Sequence, residues 1–196
     1  MTTQAQRSAA TRTRLLEATV SCLVQHGYRG TSSAEICRSA GVSRGAQLHH
    51  YPTKAELFAD AVEHLFARRL GEFAGLLRAA PAGAKRLDAV LDALLELYTS
   101  PEHAAWLELV LVARTDPELR AHVAATGLRL EEAAAEVFVE GMGLSSSLPA
   151  RPIVCTIMAW MDGLAVHTAL HDDPAAVASS RAVMRALVAP WVEALP

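Results

Sequence analysis

Apolar residues recur with helical period along almost the whole chain, and no useful stretch alternates with period two. That pattern restricts the fold to the all-α class. Leu16, Val20, Leu23 and Val24 form one stripe over roughly residues 11–26, which Gly27 ends. Ser32 with Glu35 has the spacing of a capping box and opens a short second helix carrying Ile36 and Ala40. Gly41 supplies a tight turn, Ser43 caps a third helix to about His50, and Pro52 stops it. Thr53 with Glu56 opens a long fourth helix whose stripe runs from Leu57 through Leu65 and Phe66 to Leu77, ended by Ala80-Pro-Ala-Gly83.

At least five further helical segments are expected. One centres on Leu87–Tyr98, and one is the nearly unbroken apolar run Trp106–Ala113. Another is opened by Asp116-Pro117 and runs towards Gly141. The last two run to about Leu170 and from Asp173-Pro174 to the C-terminus. The segment Gly143–Pro149 reads as a linker. About nine helices are expected. Alanine richness favours helix, and no repeats are visible.

Composition excludes several classes. With 52% hydrophobic residues the 196-residue chain is too apolar for disorder. Its most apolar stretch, Ile153–Leu170, carries Asp162 and His167 and falls short of the roughly 20 residues a bilayer needs, so no membrane partner is expected. The polar, basic N-terminus has no signal-peptide core. Cys22, Cys37 and Cys155 form no C-x-x-C pair and read as reduced thiols of a cytoplasmic protein.

The net charge of −3 hides an asymmetry. In residues 1–54, Arg7, Arg12, Arg14, Arg29, Arg38, Arg44 and Lys54 oppose only Glu17 and Glu35, a balance of +5, which leaves −8 for the rest. A basic segment on an acidic body fits either an anion-binding module or chance clustering on a solvated face. Two domains are therefore drawn, residues 1–54 and residues 55–196.

Within the basic segment, helix Ser32–Ala40, the turn at Gly41 and helix Ser43–His50 have helix-turn-helix spacing; an ordinary tight helical hairpin has the same outline. In a helix-turn-helix the second helix enters the major groove by its N-terminal end. Small Gly45 and Ala46 permit close approach, Arg44 suits a guanine edge or a phosphate, and Gln47 suits a bidentate contact to adenine. Helix starts near Thr31/Ser32 and Thr53/Lys54 suit phosphate oxygens, with Lys54 adding charge. Arg7, Arg12 and Arg14 form either a minor-groove arm or solvated charge. Tyr51 is expected to pack with Leu16, Val20 and Ile36 rather than touch DNA.

Residues 11–58, with Gly27-Tyr-Arg-Gly-Thr31, Ile36-Cys-Arg-Ser-Ala-Gly-Val-Ser43-Arg-Gly and Tyr51-Pro-Thr-Lys54-Ala-Glu-Leu57, resemble the DNA-binding domain of TetR-type transcriptional regulators. The resemblance implies an all-helical homodimer whose first three helices bind DNA and whose later helices form an effector pocket and a dimer interface. It makes Ser43–His50 the recognition helix and Lys54 a phosphate contact. Many relatives carry a leucine and a tyrosine where this chain has Gln47 and Leu48. The tyrosine commonly touches DNA backbone, which puts that contact in doubt at Leu48, strengthens Gln47 as a base reader, and makes His49 or His50 the replacement.

The remaining residues carry no ligand motif. Tyr98, Trp106, Phe138 and Trp160, with His103, Glu108, Asp162 and His167 as polar groups, are candidates for an apolar effector cavity. Glu108, inside an apolar run, pairs with Arg114 or His103, faces a ligand, or points to solvent. His167 and His171 are spaced i, i+4, but no further ligand is identifiable, so no metal is assigned; no cofactor or catalytic residue is assigned either. The last two helices have wide apolar faces, including Leu164, Val183, Leu187 and Trp191, that a second copy would bury. The expected function is a dimeric regulator, a repressor released from a palindromic double-stranded DNA operator by a small, largely apolar effector. The other reading is an all-α small-molecule binding protein or enzyme with a vestigial helix-turn-helix.

Overall fold

The structure, a computed structural model, describes residues 3–79, 84–142 and 150–193. Among them are nine helices and no strand: α1 (Gln4–Gly30), α2 (Ser33–Ala40), α3 (Arg44–His50), α4 (Lys54–Ala79), α5 (Ala84–Tyr98), α6 (Pro101–Ala113), α7 (Pro117–Met142), α8 (Ala150–Leu170) and α9 (Pro174–Glu193). The expected all-α class and helix order hold. The stops at Ala80–Gly83 and the linker Gly143–Pro149 lie outside the described residues.

Helix α1 starts earlier than its apolar stripe, because Thr3 caps it in a full capping box with Gln6. Arg7, Arg12 and Arg14 are therefore helical rather than an arm. Gly27 breaks the helix with φ +66° and ψ 179°, and one further turn runs to Gly30. The caps read from the sequence are in place: the Ser32, Ser43 and Thr53 hydroxyls accept from the amides of Glu35, Ala46 and Glu56 at 3.2, 3.2 and 3.1 Å. Gly41 closes α2 in the left-handed region at φ 62°, ψ 39°.

The chain forms two compact units, Met1–Ala67 with Ala105–Leu128, and Arg68–Ala104 with Arg129–Pro196. Packing thus groups residues differently from a linear division at residue 54. The first unit has one core, in which Leu15, Leu16, Leu23, Ile36, Tyr51, Leu57 and Phe58 meet Leu109, Leu119 and Val123. Tyr51 is buried there beside Leu16, Ile36 and Val20, as its position after α3 predicts. The second unit has two clusters. Leu87, Leu91, Tyr98, Met161, Leu164 and Met184 join α5, α8 and α9, while Leu77 and Val90 gather Phe73, Val137 and Phe138.

Helix α8 adjusts one sequence expectation. Counted from Ile153 its apolar run is too short for a bilayer, but Arg151–Leu170 spans 20 residues with mean hydropathy 1.5, long and apolar enough by those measures to cross a membrane. Within the second unit α8 lies against α5 and α9, where Met161 and Leu164 join their buried cluster, and 22% of the apolar window is buried.

Candidate functional site

Helix α3 has only seven residues, so its facing is set by contacts with Cys37 of α2 and with Tyr51 rather than by an apolar stripe of its own. Gln47 is the one residue of it that is fully buried. Its Nε2 donates to the Tyr51 carbonyl at 2.9 Å, and its Oε1 accepts from the Arg44 guanidinium and lies 3.9 Å from Cys37 Sγ. This corrects the expectation that Gln47 reads adenine. Both ends of its amide are spent inside the fold, and exposing them would leave buried groups unpaired. Gln47 instead ties Arg44 to the end of α3.

The outward face of the helix is therefore Arg44, Gly45, Leu48 and His49, with Ser43 exposed at its start and Ala46 and His50 half-buried. Nothing lies within 4 Å of where a Cβ on Gly45 would be, so that stretch of backbone is open to a partner. The His49 and His50 rings meet edge to face, 5.5 Å apart. Leu48 points outward, 43% exposed.

Thr31 is a second correction. Its hydroxyl donates to the Cys22 and Gly27 carbonyls at 2.9 and 2.7 Å, its amide donates to the Gly27 carbonyl, and the residue is buried. It closes the kinked end of α1 and has no group left for phosphate. Ser32 next to it is exposed.

Lys54 sits at the first position of α4 but turns inward. Its ammonium donates to the Tyr28 carbonyl at 2.9 Å and lies 4.2 and 4.9 Å from the Tyr28 and Phe58 ring centres. Partial burial holds its pKa below the ordinary lysine value. Arg12 is also committed: it donates to the Tyr51 hydroxyl and to Asp60, both at 2.7 Å. Burial pushes the Tyr51 phenol up to about 12, against the opposing effect of Arg12.

The same unit explains Glu108. Its Oε1 accepts from the Tyr28 amide at 2.9 Å, just past the Gly27 kink. The partner shown is this backbone amide rather than a side chain, and Glu108 itself is half-buried. No local sequence signal points to a partner 80 positions away. Trp106, also of this unit, packs edge to face on Phe66 with ring centres 5.9 Å apart.

Of the other effector candidates, the second unit brings four together. His103 is buried, and its Nε2 lies 2.8 Å from Asp162 Oδ1. The Tyr98 ring lies 4.4 Å from the His103 ring, and burial holds its phenol well above the ordinary tyrosine value. Trp160 packs on the same apolar cluster as Tyr98. Phe138 belongs to the separate cluster around Leu77, and His167 is exposed with its ring 4.9 Å from that of His171. Within the second unit, Phe138 and His167 thus take no part in the Tyr98–His103–Asp162 contacts, and Trp106 and Glu108 belong to the first unit. Among the described residues no group of three or more potential ligands is arranged to hold a metal ion.

Residues 15–61 match the family model of bacterial regulatory proteins of the tetR family, and residues 81–192 match that of the BetI-type transcriptional repressor, C-terminal. The chain belongs to the TetR family. The HTH-type transcriptional regulator CymR of Pseudomonas putida is 34% identical over 118 residues, 60% of this chain and 58% of CymR, so the match spans about three-fifths of that relative. A solved Pseudomonas aeruginosa PAO1 protein superposes with a TM-score of 0.67 at 26% identity, covering 98% of this TetR-family chain and 93% of its own. FadR of Bacillus subtilis, a transcriptional regulator solved in complex with stearoyl-CoA, superposes with a TM-score of 0.66 over 90% of this chain and 97% of its own. At 15% identity that likeness bears on the fold alone.

Proposed function

We propose that this chain is a ligand-responsive transcriptional regulator of the cytoplasm, a repressor that leaves a palindromic operator when a small, largely apolar effector binds. The observation that carries the reading is the solvent-facing surface of α3. It follows a glycine turn, is capped by Ser43, and exposes Arg44, Gly45, Leu48 and His49. The exposed basic groups Arg7, Arg14 and Arg29 add positive charge to the same N-terminal segment, for phosphate contacts that position the head, while Arg38 is ion-paired with Glu35. The alternative, a vestigial helix-turn-helix on a binding protein or enzyme, accounts less well for intact caps at the starts of α2, α3 and α4.

In this reading the head is residues 1–54 and the remainder binds effector and partner. Tyr98, His103, Trp160 and Asp162, which share one aromatic and partly polar cluster of the second unit, would be the groups that meet the effector. Leu164, expected on the shared face, is instead buried in the second unit's own cluster, and the Trp191 side chain lies outside what the structure describes. The exposed pairs Val166 with Leu170 on α8 and Val183 with Leu187 on α9, each spaced i, i+4, support a homodimer through the last two helices. Such a dimer would place two heads in successive major grooves about 34–36 Å apart. An effector coupling of about 1–3 kcal/mol would change operator affinity roughly 5–150-fold.

The decisive test is enrichment of duplexes from a random-sequence library by the full chain, with affinity then measured against salt. A palindromic consensus is expected, with affinity falling steeply and linearly in log salt as bound counterions are released. Failure to enrich any sequence, or an affinity that salt leaves unchanged, would remove the proposal. Leu187→Glu is expected to halve the mass seen by sedimentation and to weaken binding to the palindrome. A variant of unchanged mass would remove the proposed seam.

A further inference from the structure

We infer that Leu48 reads the 5-methyl group of a thymine, and that Gln47 is a positioning residue for Arg44 beside it. The inference rests on the DNA-binding reading above and adds to it the chemistry by which this recognition helix selects a base.

Each outward group of α3 is able to recognise only certain partners. Gln47, the residue with the best amide for adenine, faces the interior and is occupied by Arg44 and the Tyr51 carbonyl. Base recognition by hydrogen bonding is left to Arg44 and His49. Leu48 stands between them on the same surface, 43% exposed and outside every buried cluster of the unit. Its side chain neither donates nor accepts. Against a phosphate it would strip water from a charge and return nothing. Against a base edge in the major groove it has one apolar feature to meet, the thymine methyl. Leu48 lies one helical turn beyond Arg44, so the two side chains share a face. Open space at Gly45 lets that face approach closely.

Gln47 shapes the same readout from behind. By accepting from one Arg44 nitrogen it restricts the guanidinium and leaves the other N–H groups for a guanine edge or a phosphate. The predicted reading pair is thus an arginine whose rotation is restrained and an apolar probe beside it.

The experiment uses the duplex enriched by the wild-type chain. Each thymine in one half-site is replaced in turn by deoxyuridine, which removes only the 5-methyl group, and affinity is read by fluorescence anisotropy. Wild-type protein is expected to lose about four-fold at one thymine position, the scale for one methyl-sized apolar contact. Leu48→Ala should bind the parent duplex more weakly and be indifferent to deoxyuridine at that position, whereas Leu48→Met should keep the sensitivity. Gln47→Ala should keep the thymine effect and lose discrimination at the guanine read by Arg44. Absence of any sensitive thymine, or equal sensitivity in Leu48→Ala, overturns the inference while leaving DNA binding intact. Enrichment of no duplex at all overturns both.

Discussion

Two carboxylates interrupt strongly apolar helices, Glu108 in α6 and Asp162 in α8, and they end in different kinds of contact. Glu108 accepts from a backbone amide at a helix kink in the first unit. Asp162 bonds the ring of buried His103 in the second. Both satisfy the rule that a polar group among apolar neighbours needs a partner. The contrast lies in what the contact holds. Glu108 fixes main chain at Gly27–Tyr28, and the Tyr28 carbonyl in turn receives Lys54, so this contact ties α6 to the end of α1 and the start of α4 within the first unit. Asp162 fixes one side chain inside a cluster of side chains, the kind of arrangement a bound molecule is able to rearrange.

The glycine beside each carboxylate gives the largest expected difference. At Gly27, φ +66° with ψ 179° is a region open essentially to glycine alone, and an added Cβ would come 2.7 Å from Glu108 Oε2. Gly27→Ala should cost roughly 3 kcal/mol, combining backbone strain with loss of the Glu108 contact. Gly163, next to Asp162, has nothing within 4 Å of its Cβ position and lies inside a helix. Gly163→Ala, compared in the Leu187→Glu background so that the proposed seam does not cover it, should therefore gain about 0.5–1 kcal/mol. Urea unfolding midpoints of the two variants measure both. Equal shifts would break the comparison.

Removing the carboxylates themselves comes next. Glu108→Ala leaves the Tyr28 amide without its acceptor and should cost about 1–3 kcal/mol. Asp162→Ala should cost a smaller amount, about 1–2 kcal/mol, because that side chain is 39% exposed and water is able to replace part of it. Amide hydrogen exchange sharpens the distinction: Tyr28 should exchange faster in Glu108→Ala and unchanged in Asp162→Ala. The reverse result would mean that the backbone clamp has been misassigned.

The same contrast explains how much was legible in the sequence. Ser32, Gly41, Ser43, Thr53 and Pro52 act on residues within a few positions of themselves, so the helix-turn-helix and its boundaries can be read locally. The facing of Gln47 cannot, because it is set by Cys37 and Tyr51, and seven residues are too few to show a periodic stripe. Glu108 pairs across 80 positions and His103 across 59, separations at which spacing carries no information. In α6, apolar on all sides, no phase distinguishes a residue facing the core from one facing a ligand. For that reason the effector candidates divide between two units and three clusters.

The smallest expected effect is in alkaline titration. Tyr28 and Tyr98 are both held above the ordinary tyrosine value, chiefly by burial. For Tyr98 the charge of Asp162 is the next cause, whereas for Tyr28 the next causes are Asp116 and Glu118, not Glu108. A tyrosine whose folded pKa is raised contributes stability that is complete below the unfolded value near 10 and is lost as pH rises towards the folded one. Asp162→Ala should therefore bring Tyr98 ionisation to lower pH and lessen the part of the alkaline loss that Tyr98 carries. Glu108→Ala should leave Tyr28 where it was, apart from any general loosening of the fold. Ultraviolet difference titration, with tyrosine-to-phenylalanine variants to assign each transition, tracks both groups. A downward shift of Tyr28 in Glu108→Ala, with Tyr98 unmoved in Asp162→Ala, would reverse the roles given to the two carboxylates: Glu108 would then act through its charge and Asp162 only through its geometry.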